Sequence, residues 1–74
     1  MKTSVVAASI RVNGEDEPLS VATLEALLAA KEIAPDRRGV AVALNGSVVS
    51  RAHWAETRLT AGDIVEIVLA KQGG

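Results

Sequence analysis

A chain of 74 residues with a formal net charge of −1 and no cysteine has room for one domain, and at this size folding buries roughly 60% of the extended-chain surface. That size argues against an enclosed catalytic cavity. The missing cysteines exclude disulfide staples, thiolate metal sites and a cysteine nucleophile and point to a reducing, cytoplasmic setting, while the charge gives no field to hold the phosphate backbone of a nucleic acid.

In chain order, the apolar run Val5-Val6-Ala7-Ala8 is interrupted by Ser9 and ended by Arg11, too short for a secretion signal, and no stretch approaches the ~18 apolar residues of a membrane span. Its alternation predicts a strand from Val5 to Val12, with Val6, Ala8, Ile10 and Val12 on one face and Val5, Ala7, Ser9 and Arg11 on the other. Asn13-Gly14 signals a hairpin, because both residues tolerate positive φ, and a short strand from Glu17 to Val21 is expected to fold back. Glu15, Asp16 and Glu17 are expected on the hairpin tip as a solvated turn, not as a metal cluster. Thr23 is an expected N-cap and Glu25 suits the helix dipole. Leu24, Leu27, Leu28 and Lys31 share one face of a helix ending near Glu32, which is expected to lie across the sheet.

After Asp36-Arg37-Arg38-Gly39 comes a predicted strand, Val40 to Leu44. Asn45-Gly46 is a second hairpin signal leading to a strand from Ser47 to Ser50, and Arg51 to Glu56 is predicted as a helical or 3₁₀ turn. Trp54, the one aromatic residue, is expected to plug an end of the sheet. His53 is expected on the surface, with no serine, cysteine or aspartate arrangement to make it a catalytic base. Ile64 to Leu69 is the most apolar strand and belongs in mid-sheet. If Val65, Ile67 and Leu69 face the helix, then Ile64, Glu66 and Val68 look outward beside Ala7, Ala41 and Ala43, which makes a low-relief face suited to a protein partner. Beyond it Lys71-Gln72-Gly73-Gly74 forms a thin tail, since glycine without a Cβ can enter a channel too narrow for a side chain.

The order β-β-α-β-β-β with a mid-sheet last strand resembles the thiamin-biosynthesis sulfur-carrier proteins of the ubiquitin-like β-grasp class. The matching residues are Val12-Asn13-Gly14-Glu15, Thr23 with Leu27-Leu28, Val40 through Gly46, Val49 with Arg51, Trp54-Ala55, Leu59, Gly62 through Ile67, and Gly73-Gly74. Ser50 stands where the family pattern usually has proline, and Lys71-Gln72 is more polar than many family tails. The resemblance implies an α+β β-grasp fold, a mixed sheet of about five strands with one helix across one face. Residues 1–70 would form the domain and residues 71–74 its tail. It also implies a carrier that catalyses nothing and binds no cofactor or metal. An E1-like adenylating enzyme would use ATP and magnesium to activate the Gly74 carboxylate, a sulfur donor protein would convert it to a thiocarboxylate, and thiazole synthase would receive the sulfur. Arg37, Arg38, Arg51 and Arg58 could steer docking or simply be solvated. The alternatives are a small subunit of molybdopterin synthase, a protein modifier, and a β-grasp interaction module whose Gly-Gly end is incidental. No nucleic acid or membrane partner is expected.

Overall fold

Two hairpins on Asn-Gly turns frame the computed structural model, which describes residues 8–70. Asn13 and Gly14 have φ of 51° and 85°, and Asn45 and Gly46 of 52° and 86°. Positive φ at both central residues defines the primed turn whose twist matches that of the flanking strands. The first turn joins β1 (Ser9–Val12) to β2 (Glu15–Pro18), and the second joins β3 (Val40–Leu44) to β4 (Ser47–Val49). A two-residue loop leaves no slack, so Val12 pairs with Glu15 at once and the register runs on to Ser9 opposite Pro18. This corrects the expected strand from Glu17 to Val21: the three acids are strand residues, not a turn tip. The part of the expected first strand before Ala8 lies outside the described residues.

The helix α1 (Leu24–Ala30) is capped at both ends. Thr23 is extended, and its hydroxyl accepts from the Ala26 N–H at 3.1 Å, satisfying one of the free donors of the first turn. At the other end Glu32 takes φ of 63°, its N–H bonding Ala29 O at 3.0 Å while the Ile33 N–H bonds Leu28 O at 2.9 Å. This pair of bonds is a Schellman ending, with buried Ile33 packed near buried Leu28. The helix therefore stops at Ala30, with Lys31 as its cap and outside the apolar stripe. The Lys31 ammonium reaches Glu17 on β2 at 2.9 Å.

The sheet order is β2-β1-β5-β3-β4, with β5 (Ile64–Leu69) in the middle, parallel to β1 and antiparallel to β3. Ile10, Val12, Val42, Val65 and Ile67 form the sheet's side of the core. Leu24, Leu27, Leu28, Ile33, Trp54 and Leu59 close over them. Leu69 has the same parity as Val65 and Ile67 but is 42% exposed, which corrects its expected place under the helix. Six strand residues run about 20 Å and seven helical residues about 10 Å, so the strand outlasts its cover. This five-stranded mixed sheet with one helix on one face is a β-grasp fold.

Candidate functional site

The last described residue, Ala70, is fastened down. Its N–H donates to Gly39 O at 2.6 Å, and Gly39 presents that carbonyl from φ of 75°, a conformation cheap for glycine. Arg51 holds the loop before Gly39: its guanidinium donates to the carbonyls of Pro35 and Arg37 and lies 4.6 Å from the Trp54 ring centroid. The indole is buried, with its N–H on Val49 O at 2.9 Å. Trp54 is thus part of the core and supports Arg51, and through it the loop that grips the end of β5. Lys71, Gln72, Gly73 and Gly74 lie outside the described residues, as does Ala7.

On the side of the sheet away from α1, the register sets Ala41 opposite Val68, and Ala43 between Glu66 on β5 and Val48 on β4. Ile64 sits opposite Arg11. Val68 is 61% exposed and Val48 80%. Val48 is an addition to this face that the sequence did not yield, because in a Val-Val pair only the register decides which valine points to solvent. The face is apolar across β3, β4 and β5 except for Glu66, and charged where Arg11 pairs with Asp16 at 3.1 Å.

Strand β5 is clipped on both sides by the asparagines of the two hairpins. Where β1 turns away, the Asn13 carboxamide accepts from the Ile67 N–H at 2.8 Å and donates to Ile67 O at 3.2 Å, replacing the next residue of the strand. On the other side the Asn45 side chain accepts from the Ile64 N–H at 2.8 Å and donates to Asp63 Oδ1 at 3.0 Å. The Asp63 carboxylate is held below its usual pKa of 3.8, chiefly by the Thr60 N–H and further by the Asn45 amide and the Thr60 hydroxyl, against the opposing effect of burial. Hydrogen bonds to the charged form favour it. In sequence both asparagines are turn formers; their second role depends on β5 arriving from more than fifty residues away in one case.

The ThiS family model matches residues 4–74. The chain belongs to the ThiS family. The sulfur carrier protein ThiS of Thermus thermophilus is 38% identical over 63 residues, 85% of this chain and 95% of its own. The crystal structure of the thiamine biosynthesis protein ThiS from Geobacter metallireducens matches with a TM-score of 0.71 at 32% identity, over 89% of this chain and 99% of that one. A solution structure of a thiamine biosynthesis protein from the same organism gives 0.72 at 32%, over 89% and 87%.

In this ThiS-family chain the remaining candidate groups are accounted for locally. The acids of β2 are split by strand alternation, Asp16 toward Arg11 and Glu17 toward Lys31. His53 lies on the surface, where Ser50 Oγ is 2.9 Å from Nδ1 and Glu56 is 3.8 Å from Nε2. A 3₁₀ helix repeats every three residues, so residues 50, 53 and 56 stack along Arg51–Glu56. All three are open to solvent, and no wall excludes water from the serine oxygen. A groove of about 380 Å³ between α1 and the 3₁₀ helix is lined by alanines, Leu28, Ile33, Pro35 and Trp54 with Glu25 and the capping Thr23, a set with no nucleophile opposed to a base.

Proposed function

We propose that this chain carries sulfur for thiamine biosynthesis on its C-terminal Gly74 carboxylate. Membership of the ThiS family supports the coarse part, a sulfur carrier and not a catalyst. The observation that supports the finer part is that the family match extends to residue 74 and so takes in Gly73-Gly74, with Gly74 four residues along the chain from the pinned Ala70.

A carboxylate is a poor electrophile, and activation by an E1-like adenylating enzyme with ATP and magnesium makes it a good one. A carboxylate oxygen attacks the α-phosphorus of ATP, pyrophosphate leaves, and an acyl-adenylate results. Sulfur delivered by a donor protein at the level of hydrosulfide then attacks the acyl carbon, the carbon–oxygen bond breaks as AMP leaves, and Gly74 keeps the sulfur as a thiocarboxylate for thiazole synthase; where the donor presents a persulfide, a thiol reductant supplies the two electrons that break its sulfur–sulfur bond. The carrier's own share is mechanical: residues 1–70 act as the domain, residues 71–74 as the thread, and the face of Ala7, Ala41, Ala43, Ile64, Glu66 and Val68 as the docking surface. ATP and magnesium belong to the activating enzyme, and the carrier itself holds no cofactor or metal. A cytoplasmic location suits these partners, and no helix among the described residues is long and apolar enough to cross a membrane. The matched relatives are thiamine biosynthesis proteins, which favours thiazole synthase over molybdopterin synthase as the acceptor.

The test is intact mass after incubation with ATP, magnesium, a sulfur source and the activating enzyme. Replacement of one oxygen by sulfur is expected; an isopeptide adduct or an unchanged mass would refute the carrier reading. Gly73→Val is expected to abolish adenylation, because its branched side chain widens the thread and restricts φ and ψ. Deleting Gly74 is expected to do the same, by leaving the carboxylate about 3.5 Å short. Neither change should move thermal unfolding, and normal pyrophosphate exchange in both would make the tail an incidental end.

A further inference from the structure

We infer that Arg37 and Arg38 form a cationic collar at the foot of the tail, which engages carboxylates around the mouth of the activating enzyme's channel. This rests on the carrier reading above and adds to it the chemistry of the partner's rim. Both arginines are exposed, and neither makes an ion pair among the described residues. Their position is fixed by the backbone beneath them: Arg51 donates to the carbonyls of Pro35 and Arg37, and Gly39 O accepts from Ala70. The collar is thereby one residue from the contact that fastens the end of β5.

Charge is segregated around the sheet. Glu15, Asp16 and Glu17 lie on β2, an edge strand, whereas the loop entering β3 carries Arg37 and Arg38 against Asp36 and is backed by Arg51, a local net charge of +2. Such a patch suits an acidic surface and raises the rate of encounter with it. The anion it meets is not the nucleotide. A tail that enters a channel extended sets Gly74 about 13–14 Å from Ala70 over four residues, beyond the reach of arginines at its foot, so the complementary charge belongs to the enzyme's rim. The neighbouring apolar face supplies contact area and the collar supplies steering and register.

The experiment measures pyrophosphate exchange against carrier concentration at low and high salt for the wild type, Arg37→Glu/Arg38→Glu, Arg37→Gln/Arg38→Gln and Arg58→Glu. Arg58 is a fit control, because it bridges Thr23 at the start of α1 and precedes β5, whereas the collar sits where β5 ends. Arg51 bonds to backbone carbonyls, so the collar substitutions leave its contacts in place, and circular dichroism and melting should match the wild type. The charge reversal is expected to raise KM about tenfold at low salt with kcat within about twofold, the difference shrinking as salt screens it. The glutamine pair should fall between the reversal and the wild type, and Arg58→Glu should leave KM unchanged. An unchanged KM in the reversal, or an equal rise with Arg58→Glu, would overturn the collar while leaving the carrier reading intact. Absence of exchange with the wild type would overturn the carrier reading and the collar with it.

Discussion

Removing the Asn13 side chain tests whether the hairpin turn also serves as a ladder position for β5. Its carboxamide makes two hydrogen bonds to the Ile67 peptide unit, at 2.8 and 3.2 Å and partly buried. At ~0.5–1.5 kcal/mol for each bond, their loss is worth about 1–3 kcal/mol. Asn13→Gly keeps the left-handed turn, φ 51°, and adds up to ~1 kcal/mol for the freedom gained by the unfolded chain. Asn13→Ala replaces that addition by ~1–2 kcal/mol of left-handed strain. Losses of about 1–4 and 2–5 kcal/mol are expected, out of the roughly 4–11 kcal/mol that ~0.05–0.15 kcal/mol per residue gives a domain of this length. Urea unfolding should show a lower midpoint with an unchanged slope in both variants. Amide exchange should show the Ile67 N–H losing protection relative to global unfolding. The reasoning fails if either variant loses less than about 0.5 kcal/mol, or if Ile67 stays as protected as the most stable amides of the sheet.

Three further outcomes follow from the same geometry. Glu32→Gly relieves a left-handed residue at φ 63° and should stabilise the fold by about 0.5–1 kcal/mol, raising Tm by roughly 2–8 °C in a calorimetric scan; a lower Tm would refute that account of the helix end. The Asp63 carboxylate is held below 3.8 in the fold, so its contribution is fully present above that pH and is lost as pH falls through the lower folded value. Asp63→Asn should therefore be less stable than the wild type by a constant amount between pH 5 and 8, with the gap closing below about pH 3.8; a gap that widens in acid would reverse the assignment. Ala43→Lys places its charge opposite Glu66, so melting should stay within about 0.5 kcal/mol while the complex with the activating enzyme weakens at least tenfold by isothermal titration. Undiminished binding would remove Ala43 from the docking face.

Much of this molecule was legible in local sequence because the relevant forces act over a few residues. Asn-Gly at 13–14 and 45–46 fixes two primed turns by backbone sterics alone, Thr23 caps a helix whose leucines repeat at helical spacing, and the run from Ile64 to Leu69 announces a central strand. The family match, too, lies in the sequence and spans residues 4–74. Tertiary structure decided what depends on chain segments meeting. The register imposed by a two-residue turn put the acids of β2 into the strand. Strand pairing, not composition, sent Val48 outward, and a strand longer than the helix that covers it left Leu69 exposed. By sequence Arg51 is a family-matching arginine without an assigned contact, and in the fold it braces the loop that grips the end of β5, because Trp54 and the carbonyls of Pro35 and Arg37 converge on it. Hydrogen bonds and stacking of that kind have no periodicity to leave in a sequence; they exist only once distant residues share a place.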